Sequence, residues 1–224
     1  QLGRAINKAY EGEDVQLINT DVDELDITNV DQVVTFVMEN KPEVIINCAA
    51  HTNVNACESQ WDLAYKINAI GPRNLSIAAT KVGAKMIHIS TDYVFDGTNT
   101  EPYNEFSYVA PLGAYGKTKL EGERFVEKFA DKYFIIRTAW LYGEGKNFVQ
   151  TMLTLGREKG EVSVVCDQIG TPTSAKALAE MIKMLEPTDN YGLFHGTCEG
   201  YCSWADFTEK IFEYAGVDAK VNHI

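Results

Sequence analysis

Short apolar runs alternate along this chain with longer stretches of helical spacing. Runs of four to eight β-branched or apolar residues between turn signals read as buried strands. On that basis strands are expected at 15–19 (VQLIN), 44–48 (VIINC), 85–90 (KMIHIS), 133–137 (YFIIR) and 162–165. Apolar positions three and four apart predict helices over 30–38, 64–67, 72–82, 115–129, 147–157, 174–185 and 204–215. Asn29 or Thr28 can cap the first of these, and Pro72 suits a first turn. Strands that are apolar on both faces and separated by helices imply a doubly wound α/β fold around a parallel sheet. In such sheets ligands bind beyond the carboxyl ends of the strands. The segments to search are therefore 49–52, 91–93, 138–140 and 167–168, with the irregular stretches 96–112 and 166–173.

Composition narrows the classes of function. The 224 residues carry 20 Lys plus Arg against 32 Asp plus Glu, a formal charge of −12. Nucleic-acid binding needs a basic face to replace phosphate counterions, so it is not expected. An anchor on an acidic membrane is not expected either, and no apolar run is long enough to span one. Five scattered cysteines without a CxxC pattern fit a reduced, cytoplasmic setting. His195, Cys198 and Cys202 crowd together but lack a fourth ligand and a usual zinc spacing, so no metal is assigned.

Residues 115–119 read Tyr-Gly-Lys-Thr-Lys, which puts Tyr115 and Lys119 on one helix face. An ammonium beside a phenol stabilises the phenolate and lowers its pKa from about 10. The phenol can then exchange a proton with a carbonyl or hydroxyl oxygen. A surface helix also carries such a pair by chance, so the context matters. Ser90-Thr91-Asp92-Tyr93-Val94-Phe95-Asp96-Gly97 follows a predicted strand, and its Thr91 hydroxyl can hold the oxygen that Tyr115 protonates. The plainer role for Thr91 is to satisfy backbone groups at the strand end.

These two strings, the first running on to Glu123, with Gln1 to Gly3, Leu25 to Thr28, Asn47 to Thr52, Asn68 to Pro72, Arg137 to Gly143 and Asp167 to Thr173, resemble the extended short-chain dehydrogenase/reductases. Within that family the resemblance is to the dTDP-4-dehydrorhamnose reductases, and it runs over essentially the whole chain. It implies a Rossmann-like, nicotinamide-binding region over 1–143 and a mainly substrate-binding region over 144–224, with some return to the sheet. It implies Thr91, Tyr115 and Lys119 as the proton-handling set, NADH or NADPH as cofactor, and a nucleotide sugar as substrate, reduced at C4 in dTDP-rhamnose formation. Implied cofactor contacts are Gln1, Leu2, Gly3, Asp26, Ile27, Ala49, Ala50, His51, Thr52 and Asn68, besides Tyr115 and Lys119. Implied substrate contacts are Thr91, Asp92, Trp140, Asn147 and Thr173. Gly3 matches only the last glycine of the family's Gly-rich turn, so the first strand and the rest of that turn are expected upstream of Gln1.

Several of these residues have ordinary alternatives. Asp26 can cap the following helix, His51 can be merely packed, Asn68 can be a surface residue and Trp140 a core aromatic. The acidic run Asp21, Asp23, Glu24 and Asp26 offers no cation to a 2′-phosphate. A non-catalytic regulatory subunit of the methionine adenosyltransferase type, or a nucleotide-sugar epimerase or dehydratase, shares enough of the pattern to stand as an alternative. A monomer or homodimer is expected.

Overall fold

Parallel strands need crossovers, and this chain supplies them mostly as helices. The computed structural model describes residues 1–224. In chain order the elements are α1 (Leu2–Ala9), α2 (Val30–Asn40), β1 (Val44–Asn47), α3 (Val54–Ser59), α4 (Trp61–Tyr65), α5 (Gly71–Val82), β2 (Lys85–Thr91), α6 (Ala114–Phe129), β3 (Tyr133–Thr138), β4 (Leu141–Tyr142), α7 (Phe148–Lys159), β5 (Glu161–Val164), β6 (Ile169–Gly170), β7 (Thr173–Ser174), α8 (Ala175–Leu185), β8 (Gly192–His195), β9 (Cys202–Ser203), α9 (Trp204–Ala215) and β10 (Lys220–His223). They form two compact units, one of Asp14–Thr138 with Ile182–His195, the other of Gln1–Glu13, Ala139–Met181 and Gly196–Ile224. None of the helices is long and apolar enough to cross a membrane.

The first unit is built on a four-stranded sheet in the order β1-β2-β3-β8, with every pairing parallel. Three of these strands are the expected runs. β8 was not legible, because GLFH is too short to show a period. The core joins α2, α5 and α6 to the sheet through Val33, Val37, Leu75, Ala79, Met86, Val126 and Ile135. Asn29, not Thr28, caps α2, its side chain accepting from the Asp31 and Gln32 amides.

Three expectations change. Residues 15–19 form no strand; they belong to no sheet, and Val15, Leu17 and Ile18 are exposed. An apolar run becomes a strand only where a neighbour completes its ladder. The helix expected to restart at Pro72 is instead continuous from Trp61 through a π-helical turn, Lys66–Ile70. Proline has no N–H to offer the carbonyl four residues back, here that of Asn68, and its ring crowds that carbonyl, so the turn widens. The strand expected at 162–165 forms as β5, but pairs with β10 outside the main sheet.

In the second unit β5 and β10 pair parallel, beside two short pairs, β4 with β7 and β6 with β9. Its core is Met152, Val162, Val164, Ala205, Ile211 and Phe212. Ser203 and Asp206 form a reciprocal capping box that starts α9.

Candidate active site

Alternation along β2 sets the chemistry of the first unit. Met86, His88 and Ser90 share one side of the strand by the two-residue period. Met86 enters the apolar core. His88 is fully buried, its Nδ1 lying 3.2 Å from the Asn47 amide nitrogen. Ser90 donates to Glu123 of α6 at 2.5 Å. Glu123 also accepts two hydrogen bonds from Arg137 of β3, from Nε at 2.9 Å and from Nη2 at 2.7 Å.

Two glycines seat α6 close to its neighbours. A Cβ on Gly116 would lie 2.1 Å from the Tyr93 carbonyl oxygen, and one on Gly122 would lie 2.2 Å from the Asn68 carbonyl oxygen. Both are backbone atoms, so only glycine allows this approach. Gly113, the residue preceding α6, gives no side-chain cap; the Glu58 carboxylate takes that place, accepting from the Ala114 amide at 2.7 Å. The carboxylate also complements the positive end of the helix that carries Tyr115.

Thr91, Tyr115 and Lys119 lie in this unit, Thr91 as the last residue of β2 and the other two on the first turns of α6. The Thr91 hydroxyl lies beside the Tyr115 phenol, near enough to favour its ionised form. The Thr91 hydroxyl also donates to Asp92 at 3.0 Å and accepts from the Tyr93 amide at 3.2 Å, so the backbone role coexists with the functional one. The Tyr93 ring meets that of Tyr115 edge to face, with centroids 5.4 Å apart. Lys119 is buried, and its ammonium donates to the Ile89 carbonyl at 2.6 Å.

The expected lowering of the phenol pKa does not appear. Burial, foremost, and the Asp92 charge hold the Tyr115 phenol above its ordinary range, against the Thr91 hydroxyl. Burial likewise lowers the Lys119 ammonium to about 8, although Glu123 and Cys48 oppose the shift. At neutral pH the phenol is therefore protonated and the ammonium charged.

Asp92 is pushed up to about 6 by burial, against the hydrogen bond from Thr91. A raised acid binds its proton more tightly in the fold than in the unfolded chain. Stability then falls as pH rises from about 4 to about 6, and the full penalty stands above that window. Asp92→Asn keeps an acceptor for Thr91 and removes the charge. It is expected to stabilise the protein by about 1–2 kcal/mol at pH 7.5, with the gain vanishing near pH 4. Urea unfolding at both pH values measures this, and no gain at pH 7.5 would mean that the carboxylate is well solvated.

Asn68 is fully buried in the π-helical turn. Its amide accepts from the His51 N–H at 2.7 Å and donates to the His51 carbonyl and the Thr118 hydroxyl. It thus pins the strand-end segment to α6 and makes no direct bond to Lys119. The His51 ring packs beside Gln60 and Cys57. Ala49, Ala50 and Thr52 leave this segment open and small-sided at the end of β1. Asp26 does not cap α2; its carboxylate accepts from the Thr28 N–H and hydroxyl in a local turn. Ile27 packs on Gly71.

The remaining expected residues belong to the second unit. Gln1, Leu2 and Gly3 open α1. Trp140 adopts a left-handed φ of 47°, stacks on Trp204 with centroids 3.5 Å apart, and lies against Gly170. Asn147 caps α7 and donates to the Gly143 and Gly145 carbonyls. Thr173 is buried, and its hydroxyl donates to the Thr171 carbonyl. Sequence reading missed the roles of Glu58, Glu123, Arg137 and Trp204. Of these only Glu123 left a signal, standing four residues beyond Lys119 on the Tyr115–Lys119 stripe.

A parallel sheet with these hydroxyl, phenol and ammonium groups at its carboxyl end is the arrangement of a Rossmann-like reductase. The model of the family described as the RmlD substrate binding domain matches residues 1–224, and the chain belongs to that family. A dTDP-4-dehydrorhamnose reductase of Aggregatibacter actinomycetemcomitans is 41% identical over 223 residues, covering 96% of this chain and 76% of that protein. The crystal structure of a dTDP-4-dehydrorhamnose reductase from Clostridium acetobutylicum is 57% identical with a TM-score of 0.99, over 100% of this chain and 80% of that one. That of the Bacillus anthracis dTDP-4-dehydrorhamnose reductase, in complex with NADP, is 48% identical with a TM-score of 0.98, over 100% and 81% of the two chains.

Proposed function

We propose that this chain carries the reductase chemistry of its family, reduction of dTDP-4-dehydro-L-rhamnose to dTDP-L-rhamnose by NAD(P)H, with Tyr115 as proton donor. The observation that carries the reading is the Thr91 hydroxyl at the end of β2 beside the Tyr115 phenol, with Lys119 one turn further along α6. The names and ligand of the relatives support the substrate class and the cofactor. The donor set fits a nicotinamide nucleotide. The Lys119 ammonium has three protons and donates one to the Ile89 carbonyl, so it retains donors for ribose hydroxyls. The open Ala49–Ala50 backbone lets a ligand approach closely.

The cofactor, when bound, supplies the hydride. Tyr115 gives its phenolic proton to the ketone oxygen as that oxygen gains charge. Thr91, turning its single O–H from Asp92, donates a hydrogen bond to the same oxygen and holds it in line. Lys119 stabilises the phenolate left behind, which is costly in so desolvated a place without a cation. The roles proposed for the second unit follow the family: Trp140 as an apolar wall with an N–H donor for the sugar, Asn147 and Thr173 as shapers of the sugar pocket, and Gln1 to Gly3 as the end of a phosphate-binding turn. In the first unit, Asp26, Ile27, Ala49 to Thr52 and Asn68 line the cofactor, and Asp92 faces the substrate.

Purified protein is expected to consume reduced nicotinamide only when dTDP-4-dehydro-L-rhamnose is supplied. Equal turnover of simple ketones would overturn the substrate assignment. Cofactor binding without net consumption would favour the regulatory or epimerase reading. NADH is expected to serve at least as well as NADPH, because the stretch from Asp21 to Asp26 offers carboxylates and no cation. Steady-state competition between the two measures this, and a clear NADPH preference would overturn it. The reduction rate is expected to fall as pH rises through about 8, where Lys119 loses its proton.

A further inference from the structure

Tyr115, Lys119 and Glu123 follow one another at four-residue intervals on the inward stripe of α6. The first two belong to the proposed reaction, and the third is equally enclosed, at 2% exposure. A buried carboxylate is costly unless it is paired and fully hydrogen-bonded, and this one is. Arg137 holds both of its oxygens, and Ser90 donates to one of them. Ser90 directly precedes Thr91, and its neighbour Ile89 supplies the carbonyl that accepts from Lys119. The same few atoms therefore fix the end of β2 to the face of α6 that carries Tyr115 and Lys119.

We propose that Glu123 is a positioning residue for the reaction: within its Ser90–Arg137 clamp it supplies the charge that balances the buried Lys119 ammonium, and the clamp keeps it from capturing Lys119 as a direct ion pair. The groups around Lys119 are few. Glu123 lies on its own helix, Cys48 follows β1, and His88 faces it from β2. His88 is neutral, because burial, and next the Lys119 charge, hold its pKa well below the usual histidine value. The Cys48 thiol is uncharged near neutral pH. Glu123 is thus the balancing charge under working conditions, and Arg137 attenuates it from the far side. A carboxylate free of Arg137 would draw the ammonium onto itself and away from a ribose.

The inference rests on Lys119 taking part in the reaction, and the test separates the two claims. The protonation midpoint of Lys119 is read by trace acetylation with acetic anhydride across pH, each lysine quantified by mass spectrometry, with no cofactor or substrate needed. The parent midpoint is expected near 8. Glu123→Gln is expected to move it down by about one unit, and Arg137→Met to move it up. Opposite shifts distinguish charge balance from general damage, which would expose Lys119 and raise the midpoint in both. If either single variant fails to fold, the neutral pair Glu123→Gln with Arg137→Met decides, its midpoint expected between those of Glu123→Gln and the parent. The falling limb of the kcat–pH profile should shift with the midpoint. A folded Glu123→Gln or double variant with the parent's midpoint overturns the proposal. Full turnover in Lys119→Met overturns the underlying reading of the site instead.

Discussion

Tyr115→Phe is expected to lose about 10²- to 10⁴-fold in turnover, equivalent to about 3–5 kcal/mol of barrier. The substitution keeps the ring, and with it the edge-to-face contact with Tyr93. It removes the hydroxyl that lies beside Thr91 and carries the transferable proton. The proton moves in the transition state, whereas substrate and cofactor are held mainly elsewhere, so the loss should fall on kcat and leave cofactor affinity nearly unchanged. Single-turnover hydride transfer is the decisive measurement, because it excludes product release. A Tyr115→Phe protein within about threefold of the parent rate would place the donor elsewhere, and the Thr91–Tyr115–Lys119 assignment would fall with it.

The largest expected loss of stability lies at Arg137. Its guanidinium is 6% exposed, holds Glu123 through two nitrogens and lies 5.2 Å from the centroid of Phe95. Its third nitrogen, Nη1, is buried without a hydrogen-bond partner, and the Phe95 ring partly compensates that cation. Arg137→Met leaves Glu123 hydrogen-bonded to the Ser90 hydroxyl alone, a buried charge whose remaining cation, Lys119, is bound to the Ile89 carbonyl and must leave it to pair. Removing one partner of such a pair costs about 3–5 kcal/mol, whereas replacing both by neutral groups is often close to neutral. Arg137→Met should therefore lower the urea midpoint strongly without changing the m-value, and adding Glu123→Gln should restore most of the loss. An Arg137→Met protein within about 1 kcal/mol of the parent would mean that water reaches Glu123 in the fold.

Some of this molecule was written plainly in its one-dimensional pattern. The runs at 44–48, 85–90 and 133–137 became β1, β2 and β3, since strands with apolar side chains on both faces suit a parallel sheet covered by helices; β2 and β3 lie inside it and β1 at its edge. The Tyr115–Lys119 spacing fixed a shared helix face, and the position of Thr91 at a strand end followed from the same pattern. Other features depend on partners distant in the chain. The run at 15–19 has the composition of a strand, yet belongs to no sheet, because a ladder is a property of two segments. Glu58 starts α6 from 56 residues away, and no local cap signal marks it. Gly116 and Gly122 stand in the sequence as ordinary helical glycines until the Tyr93 and Asn68 carbonyls are seen against them.

By itself, then, the sequence determined three adjacent parallel strands, most of the longer helices and the shared helix face of Tyr115 and Lys119, because periodicity and side-chain chemistry are local properties. Tertiary structure alone decided the electrostatics. Burial, which depends on everything packed around a group, turned the expected acidified phenol of Tyr115 into a firmly protonated one and drew Lys119 down toward working pH. It also brought Ser90, Glu123 and Arg137, from β2, α6 and β3, into one clamp behind that pair.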